Sequence, residues 1–125
     1  MTTFGEHAAR PRNMKRLVEP TCEGRESIAG EPVYLAIALK VTDGIIVETS
    51  FESILCGYAI GICSMLTERI KGLSISEADR LTAEELLEEC PDIPEGKRDY
   101  AHTAVRALRH ALNQIPSIIH NLDSK

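Results

Sequence analysis

Cys56 stands where the sequence changes from a strand-like to a helix-like pattern. An apolar run ends at Leu55, and apolar residues then recur at three- and four-residue steps, as on an amphipathic helix. A thiol in the first turn of a helix lies near free N–H groups and the positive end of the helix dipole. That environment lowers the pKa of a thiol and increases the fraction of reactive thiolate. The position therefore predicts a nucleophilic cysteine; the alternative is a small apolar residue that fills the start of the helix.

The other cysteines, at positions 22, 63 and 90, are weaker candidates for chemistry. Cys63 follows Cys56 by two helical turns, about 10 Å along the helix axis, which is too far for a disulfide. It also falls in the apolar stripe, so we expect it in the core. Cys22 and Cys90 lie in segments that resemble loops, next to prolines and charges. No CxxC pair is present, so the usual kind of structural zinc site is not expected.

Two carboxylates stand at the predicted starts of secondary-structure elements. Glu31 precedes a proline at the start of the main strand, and Asp99 stands at the start of the last helix. Helix capping and solvation are the alternative interpretation for both. The histidines form no HExxH pair, and we expect His102 and His110 on a solvated helix face.

Composition restricts the function classes. The 125 residues suffice for one domain, 1–125, and 43 % of them are apolar. The net charge of −5 comes with scattered Lys and Arg residues, so no nucleic-acid-binding stripe is present. No run approaches the roughly 18 apolar residues of a membrane span, and the first residues lack the apolar core of a signal peptide. We therefore expect a cytoplasmic protein with reduced cysteines.

The pattern of elements predicts an α+β fold, a three-stranded antiparallel sheet packed against helices. Strand-like runs come first and helical periodicity follows Cys56, an order that suits a sheet with helices on one face. In the returning strand, Val47, Thr49 and Phe51 are predicted to share a face. The expected elements are a first strand within 25–30, strands 33–41 and 45–51 joined by a turn at 42–44, a helix from Cys56 to Gly72, a short helix capped by Ser76, another opened by Thr82, and a last helix over 98–115.

Taken together, several segments resemble the NifU/IscU family of iron–sulfur cluster scaffolds. They are HAARPRN at 7–13, VYLAIALKV at 33–41, FESILCGYAIGICSMLTERIKG at 51–72, and AVRALRHAL in the last helix. The resemblance extends from His7 to Ile115. It implies an IscU/SufE-like fold, a role in iron–sulfur cluster assembly without enzymatic turnover, and a cysteine desulfurase or other assembly proteins as partners.

The resemblance also implies a set of cluster ligands, and here the sequence departs from the family. The family holds a [2Fe–2S] cluster on three cysteines assisted by an aspartate and a histidine, and thiolates are the usual ligands of such clusters. Ala29 and Glu31 occupy the positions of the first cysteine and the aspartate, and Asp99 and Tyr100 those of the histidine and the third cysteine. Cys56 matches the second cysteine. We therefore expect a degenerate scaffold without a conventional cluster.

Three hypotheses remain open for this degenerate site. In the first, Cys56 accepts sulfur from a cysteine desulfurase as a persulfide. In the second, Glu31, Cys56 and Asp99 hold one Fe or Zn ion, since both ions accept carboxylate and thiolate ligands. In the third, the chain is a non-catalytic interaction module of the assembly machinery, and Cys56 is a remnant.

Overall fold

The computed structural model describes residues 4–27, 34–53 and 57–115. The strands form one antiparallel sheet in the order β1-β2-β3. This arrangement confirms the predicted α+β fold. In chain order the elements are α1 (Phe4–Ala9), β1 (Cys22–Ser27), β2 (Tyr34–Thr42), β3 (Ile45–Ser53), α2 (Gly57–Ile70), α3 (Ile75–Asp79), α4 (Ala83–Glu88), a 3₁₀ turn (Glu95–Lys97) and α5 (Asp99–Leu112).

The hairpin between β2 and β3 turns where the sequence predicted it. Asp43 and Gly44 form the turn, with φ angles of 53° and 79°. Positive φ at both central residues is the requirement of a type I′ turn, whose twist matches that of the flanking strands. Aspartate and glycine adopt this conformation at low cost, which explains why the turn falls here.

A bulge in β3 changes which of its side chains face the core. Lys40 pairs with Glu48 whereas Val41 pairs with Ile46, so Val47 is an extra residue. Val47 is 45 % exposed, although Ile46 is fully buried. The prediction that Val47 shares a face with Thr49 and Phe51 is therefore wrong, because strict alternation does not allow for a bulge.

The core is aliphatic and lies between the sheet and the helices. One face of β2 contributes fully buried side chains, and the apolar stripe predicted for α5 is buried throughout. Burial of such side chains supplies the main favourable free energy of folding. These residues are Leu35, Ile37 and Leu39 of β2 and Ala101, Ala104, Val105, Leu108, Leu112 and Ile115 of the last helical region.

Strand β1 lies directly against the backbone of α5. A Cβ atom built on Gly24 would come within 1.9 Å of the Ala107 carbonyl oxygen and 2.5 Å of the Ala111 nitrogen. Only glycine permits so close an approach of strand and helix. No local pattern indicates this contact, because the partners are more than eighty positions apart.

Side chains at the end of α5 occupy the outer edge of β1. The Glu23 N–H donates to Gln114 Oε1 at 3.2 Å, and Gln114 Nε2 donates to the Glu23 carbonyl at 2.6 Å. His110 Nδ1 lies 3.2 Å from the Arg25 carbonyl oxygen. The N–H and carbonyl of Glu23 and the carbonyl of Arg25 on this edge thus have partners.

The ends of the short helices show which start signals were correct. Thr82 caps α4, since its Oγ1 accepts from the Glu85 N–H at 3.2 Å. Helix α3, however, is capped by Ser74 and not by Ser76: Ser74 Oγ accepts from the Glu77 N–H, and the Glu77 carboxylate accepts from the Ser74 N–H. The glutamate three positions on selects Ser74 as the cap. Gly72, with φ of 90°, follows α2 as predicted.

Candidate functional site

Of the three residues predicted to bind metal or sulfur, Asp99 is the one that the described ranges include. It is the first residue of α5 and is exposed. A carboxylate at this place is favoured by the helix dipole. Cys56 and Glu31 lie outside the described residues, so their predicted proximity to Asp99 stays a prediction.

Tyr100 occupies the position that the resemblance assigns to the third cysteine. Its side chain is only 6 % exposed, and the Lys97 ammonium lies 5.5 Å from the centre of its ring. An ammonium over an aromatic face is a favourable cation–π contact. The residue that the resemblance matches to a thiolate ligand is thus a buried aromatic ring.

The three described cysteines are buried, and their thiols are less acidic than usual. Burial raises the pKa of Cys63 to about 12 and that of Cys22 to about 11. Burial, together with the Glu89 carboxylate, raises the pKa of Cys90, whose Sγ donates to the Leu86 carbonyl at 3.4 Å. A buried thiol with a raised pKa is a poor nucleophile near neutral pH.

The placement of these cysteines confirms one expectation and corrects another. Cys63 lies in the core on α2, as predicted. Cys22 does not lie in a loop: it is the first residue of β1, and the charged residues that alternate along this strand hid its pattern. Cys90 does lie in the loop after α4, but it is buried there.

A buried histidine near the start of the chain was missed by sequence reasoning. His7 on α1 is 4 % exposed, and its Nδ1 lies 2.6 Å from Ser64 Oγ on α2. The same hydroxyl accepts from the Arg12 N–H at 2.8 Å. Burial, followed by the charge of Arg12, lowers the pKa of His7. Its partner lies 57 positions away, so no local pattern could have indicated this contact.

Asn13 joins the N-terminal segment to both α2 and β3. Its Nδ2 donates to Thr67 Oγ1 at 3.1 Å and to Glu68 Oε2 at 3.0 Å, and its Oδ1 accepts from Lys71 Nζ at 3.0 Å. Its backbone carbonyl accepts from the Phe51 N–H at 2.8 Å. The hydrogen bond from Asn13 is the main cause that lowers the pKa of Glu68.

These contacts join two of the segments that carry the family resemblance. The PRN tripeptide ends at Asn13, and the TERIKG segment supplies Thr67, Glu68 and Lys71. The two segments bind each other through the hydrogen bonds of Asn13. Their co-occurrence in one sequence was the available signal for this contact.

A cleft opens beside the first turn of α2. We call it the α1–α2 cleft; it encloses about 360 Å³. Tyr58 is 38 % exposed and stacks on Phe4, with ring centroids 6.4 Å apart and planes 11° apart. The cleft is lined by Phe4 and Gly5 of α1, by Tyr58, and by the loop residues Glu89, Cys90, Pro91, Asp92 and Ile93.

Comparison with known proteins places the chain in a family. Residues 4–121 match the family model described as the NifU-like N terminal domain. The chain belongs to this family. The family resemblance expected from the sequence is thereby confirmed for nearly the whole chain.

Individual relatives agree with this assignment. The chain is 32 % identical over 110 residues to the iron-sulfur cluster assembly scaffold protein IscU 1 of Archaeoglobus fulgidus, covering 86 % of this chain and 70 % of that protein. It is 28 % identical over 109 residues to the corresponding IscU of Aquifex aeolicus, covering 86 % and 69 %. Both relatives are named as scaffolds, in line with the expectation that the chain is not an enzyme.

Solved structures share the fold of this NifU-like chain. The SUF-system scaffold protein of Fervidobacterium islandicum AW-1, which its description calls putative, superposes with a TM-score of 0.72 at 12 % identity, covering 87 % of this chain and 93 % of that one. The NifU-like protein of Brucella abortus superposes with a TM-score of 0.57 at 20 % identity, covering 98 % and 92 %. The IscU/SufE-like α+β prediction is therefore confirmed at the level of fold.

The described residues of this NifU-like chain do not by themselves form a site for a cluster held by three thiolates. Tyr100 stands at the position that the resemblance assigns to one ligand, and the three cysteines in the described ranges are buried with raised pKa values. Within residues 4–27, 34–53 and 57–115, no group of three His, Cys, Asp or Glu side chains could hold a metal ion.

No helix among the described residues is long and apolar enough to cross a membrane.

Proposed function

We propose that the chain takes part in iron–sulfur cluster assembly by accepting sulfur on Cys56, with a cysteine desulfurase as the donor. The observation that supports this proposal is that the three thiols in the described residues are buried and have raised pKa values. Of the four cysteines in the sequence, Cys22, Cys63 and Cys90 are buried with raised pKa values, which leaves Cys56 as the candidate nucleophile. Its place directly before α2 suits a thiolate.

The proposed transfer is an ordinary thiol exchange. The Cys56 thiolate attacks the outer sulfur of a cysteine persulfide on the donor enzyme. A new S–S bond forms at Cys56, the S–S bond of the donor breaks, and the donor cysteine leaves as a thiolate. The outer sulfur moves without net oxidation or reduction, so the step needs no further electron carrier.

Mass spectrometry tests this proposal directly. The reduced protein is incubated anaerobically with a cysteine desulfurase and cysteine, and sulfur adducts are mapped by peptide. We expect one added sulfur on Cys56, none in Cys56→Ser, and an unchanged adduct in Cys90→Ser, whose hydroxyl can keep the bond to Leu86. An unmodified Cys56, with the desulfurase active on another acceptor, would overturn the proposal.

Tyr100 favours a second candidate, a non-catalytic interaction module of the assembly machinery. A buried ring at a former ligand position retains the packing of the fold without the cluster chemistry. In this case Cys56→Ser leaves the binding of assembly partners unchanged and Cys56 takes up no sulfur. The two measurements together separate this role from sulfur acceptance.

The exposed carboxylate of Asp99 supports a third candidate, binding of one Fe or Zn ion by Glu31, Cys56 and Asp99. Zn²⁺ accepts two carboxylates and a thiolate as ligands. Titration with Zn²⁺ should then show one site that Asp99→Asn weakens, whereas Asp79→Asn, an exposed acid at the end of α3, leaves it unchanged. Equal affinity in Asp99→Asn would argue against this site.

A further inference from the structure

We propose that the α1–α2 cleft binds a short basic segment of a partner protein. One apolar side chain of that segment enters between Phe4, Tyr58 and Ile93, and flanking Lys or Arg residues lie against Glu89 and Asp92. This inference stands on the described residues around the cleft and does not require sulfur transfer at Cys56.

The walls of the cleft suit an apolar side chain. The stacked rings of Phe4 and Tyr58 form one side, and Pro91 and Ile93 belong to the loop on the other. The enclosed volume of about 360 Å³ lies at the lower end of the range for binding pockets, roughly 300–1,000 Å³. Tyr58 is exposed and Phe4 is partly buried, and aromatic residues in such a cleft are the kind that anchor protein interfaces.

The rim of the cleft determines the charge of its occupant. The segment from Thr82 to Glu95 contains six acidic residues and no Lys or Arg. Glu89 shares the guanidinium of Arg69 with Glu85, at 2.9 and 3.1 Å. Asp92, at the cleft, has no ion-pair partner among the described residues and is exposed. A basic occupant would complement this rim, and an acidic one would be repelled.

Charge also favours a partner protein over a second copy of this chain. The chain carries a net charge of −5, so a second copy approaching the acidic rim meets repulsion. A partner segment with several basic residues gains attraction at long range and hydrogen bonds to the carboxylates at close range. The second copy remains a measurable alternative.

A labelled peptide of sequence KRFLKR is the probe. Its binding to the full chain is followed by fluorescence anisotropy at 0.15 M salt, beside KRGSKR, which lacks the apolar pair, and EEFLEE, which reverses the charge. We expect both controls to bind at least about tenfold more weakly, because KRGSKR lacks the apolar side chains and EEFLEE lacks the positive charges. Amide NMR shifts on adding KRFLKR should concentrate at Gly5, Tyr58, Glu89, Asp92 and Ile93.

Matched variants separate the cleft from general electrostatics. Asp92→Lys and Tyr58→Ala should each weaken KRFLKR at least about tenfold. Asp79→Lys and Val47→Ala change an exposed acid and an exposed apolar residue outside the cleft, and should change binding by less than about twofold. Equal loss in Asp79→Lys, or equal binding of KRGSKR, would overturn the proposal. So would sedimentation that shows Tyr58-dependent self-association and no peptide binding.

Discussion

The two ends of α2 differ in what their side chains do. Toward its C-terminal end, Ser64, Thr67 and Glu68 are hydrogen-bonded to the N-terminal segment and form part of the framework. At its N-terminal end, Tyr58 is 38 % exposed beside an open cleft and is stacked on Phe4. The match to the family therefore rests on residues that hold the fold together, and such a match does not by itself imply cluster chemistry.

The largest expected contrast between these regions is thiol reactivity. In the native protein we expect Cys56 to react with an aromatic disulfide reagent at least about a hundredfold faster than the three buried thiols. The measurement is a stopped-flow titration in buffer and then in denaturant, where all four cysteines should react. Cys56→Ser should lose the fast phase and Cys63→Ser should keep it. A fast phase that survives in Cys56→Ser would show that one of the buried thiols is the reactive one, contrary to this prediction.

Gly24→Ala should be the most destabilising framework substitution. The new Cβ would meet the α5 backbone at Ala107 and Ala111, which cannot move aside as a flexible side chain would. We expect a loss of about 3 kcal/mol in the free energy of unfolding, measured by urea denaturation. The control is Gly57→Ala at the start of α2, where a Cβ meets nothing within 4 Å. If both variants unfold at the same urea concentration, the close contact of β1 and α5 is refuted.

Asn13→Ala should have a smaller effect, about 2 kcal/mol, because it removes the hydrogen bonds to Thr67, Glu68 and Lys71. Alanine is also disfavoured at the φ of 65° that Asn13 adopts. Asn13→Gly tolerates this φ and should be less destabilising than Asn13→Ala, which isolates the backbone contribution. The exposed Asn113→Ala serves as control. An Asn13→Ala variant as stable as Asn113→Ala would show that the hydrogen bonds of Asn13 do not contribute to stability.

The smallest effect concerns pH. The pKa of His7 is lowered in the folded state, so the unfolded chain binds the proton more readily, and stability falls as pH drops below about 6.5. The groups that face His7 are Arg12, which opposes its protonation, and Glu6, Glu68 and Glu89, which favour it. Glu68, with its own lowered pKa, loses its contribution only below about 4.5. Urea denaturation of His7→Asn between pH 7 and 5 should show a flatter dependence than the parent; an unchanged slope would contradict this role.

Local features of the sequence predicted most of the fold. The turn at Asp43–Gly44, the cap at Thr82 and the stripe of α5 each depend on residues close together in sequence. The bulge at Val47 and the buried His7 were missed, because each depends on a partner across the sheet or in another helix.

The candidate site was predictable only in part, for a similar reason. Helix position correctly placed Asp99 at the first turn of α5. Its convergence with Cys56 and Glu31 came from the family resemblance and stays a prediction. The cleft depends on residues from three separate segments, and no spacing in the sequence indicates that Phe4, Tyr58 and Ile93 meet.

Side chains at and just after the end of α5 bind the outer edge of β1, and a shortened chain would lose some of these contacts. An open strand edge is a template for pairing with another chain, and so a route to aggregation. Here Gln114 binds the N–H and carbonyl of Glu23, and His110 lies within hydrogen-bond distance of the Arg25 carbonyl. A chain cut before Gln114 would free the Glu23 groups of β1 while leaving the strand itself in place. The turn that follows α5 therefore helps to keep this edge of β1 from pairing with another chain.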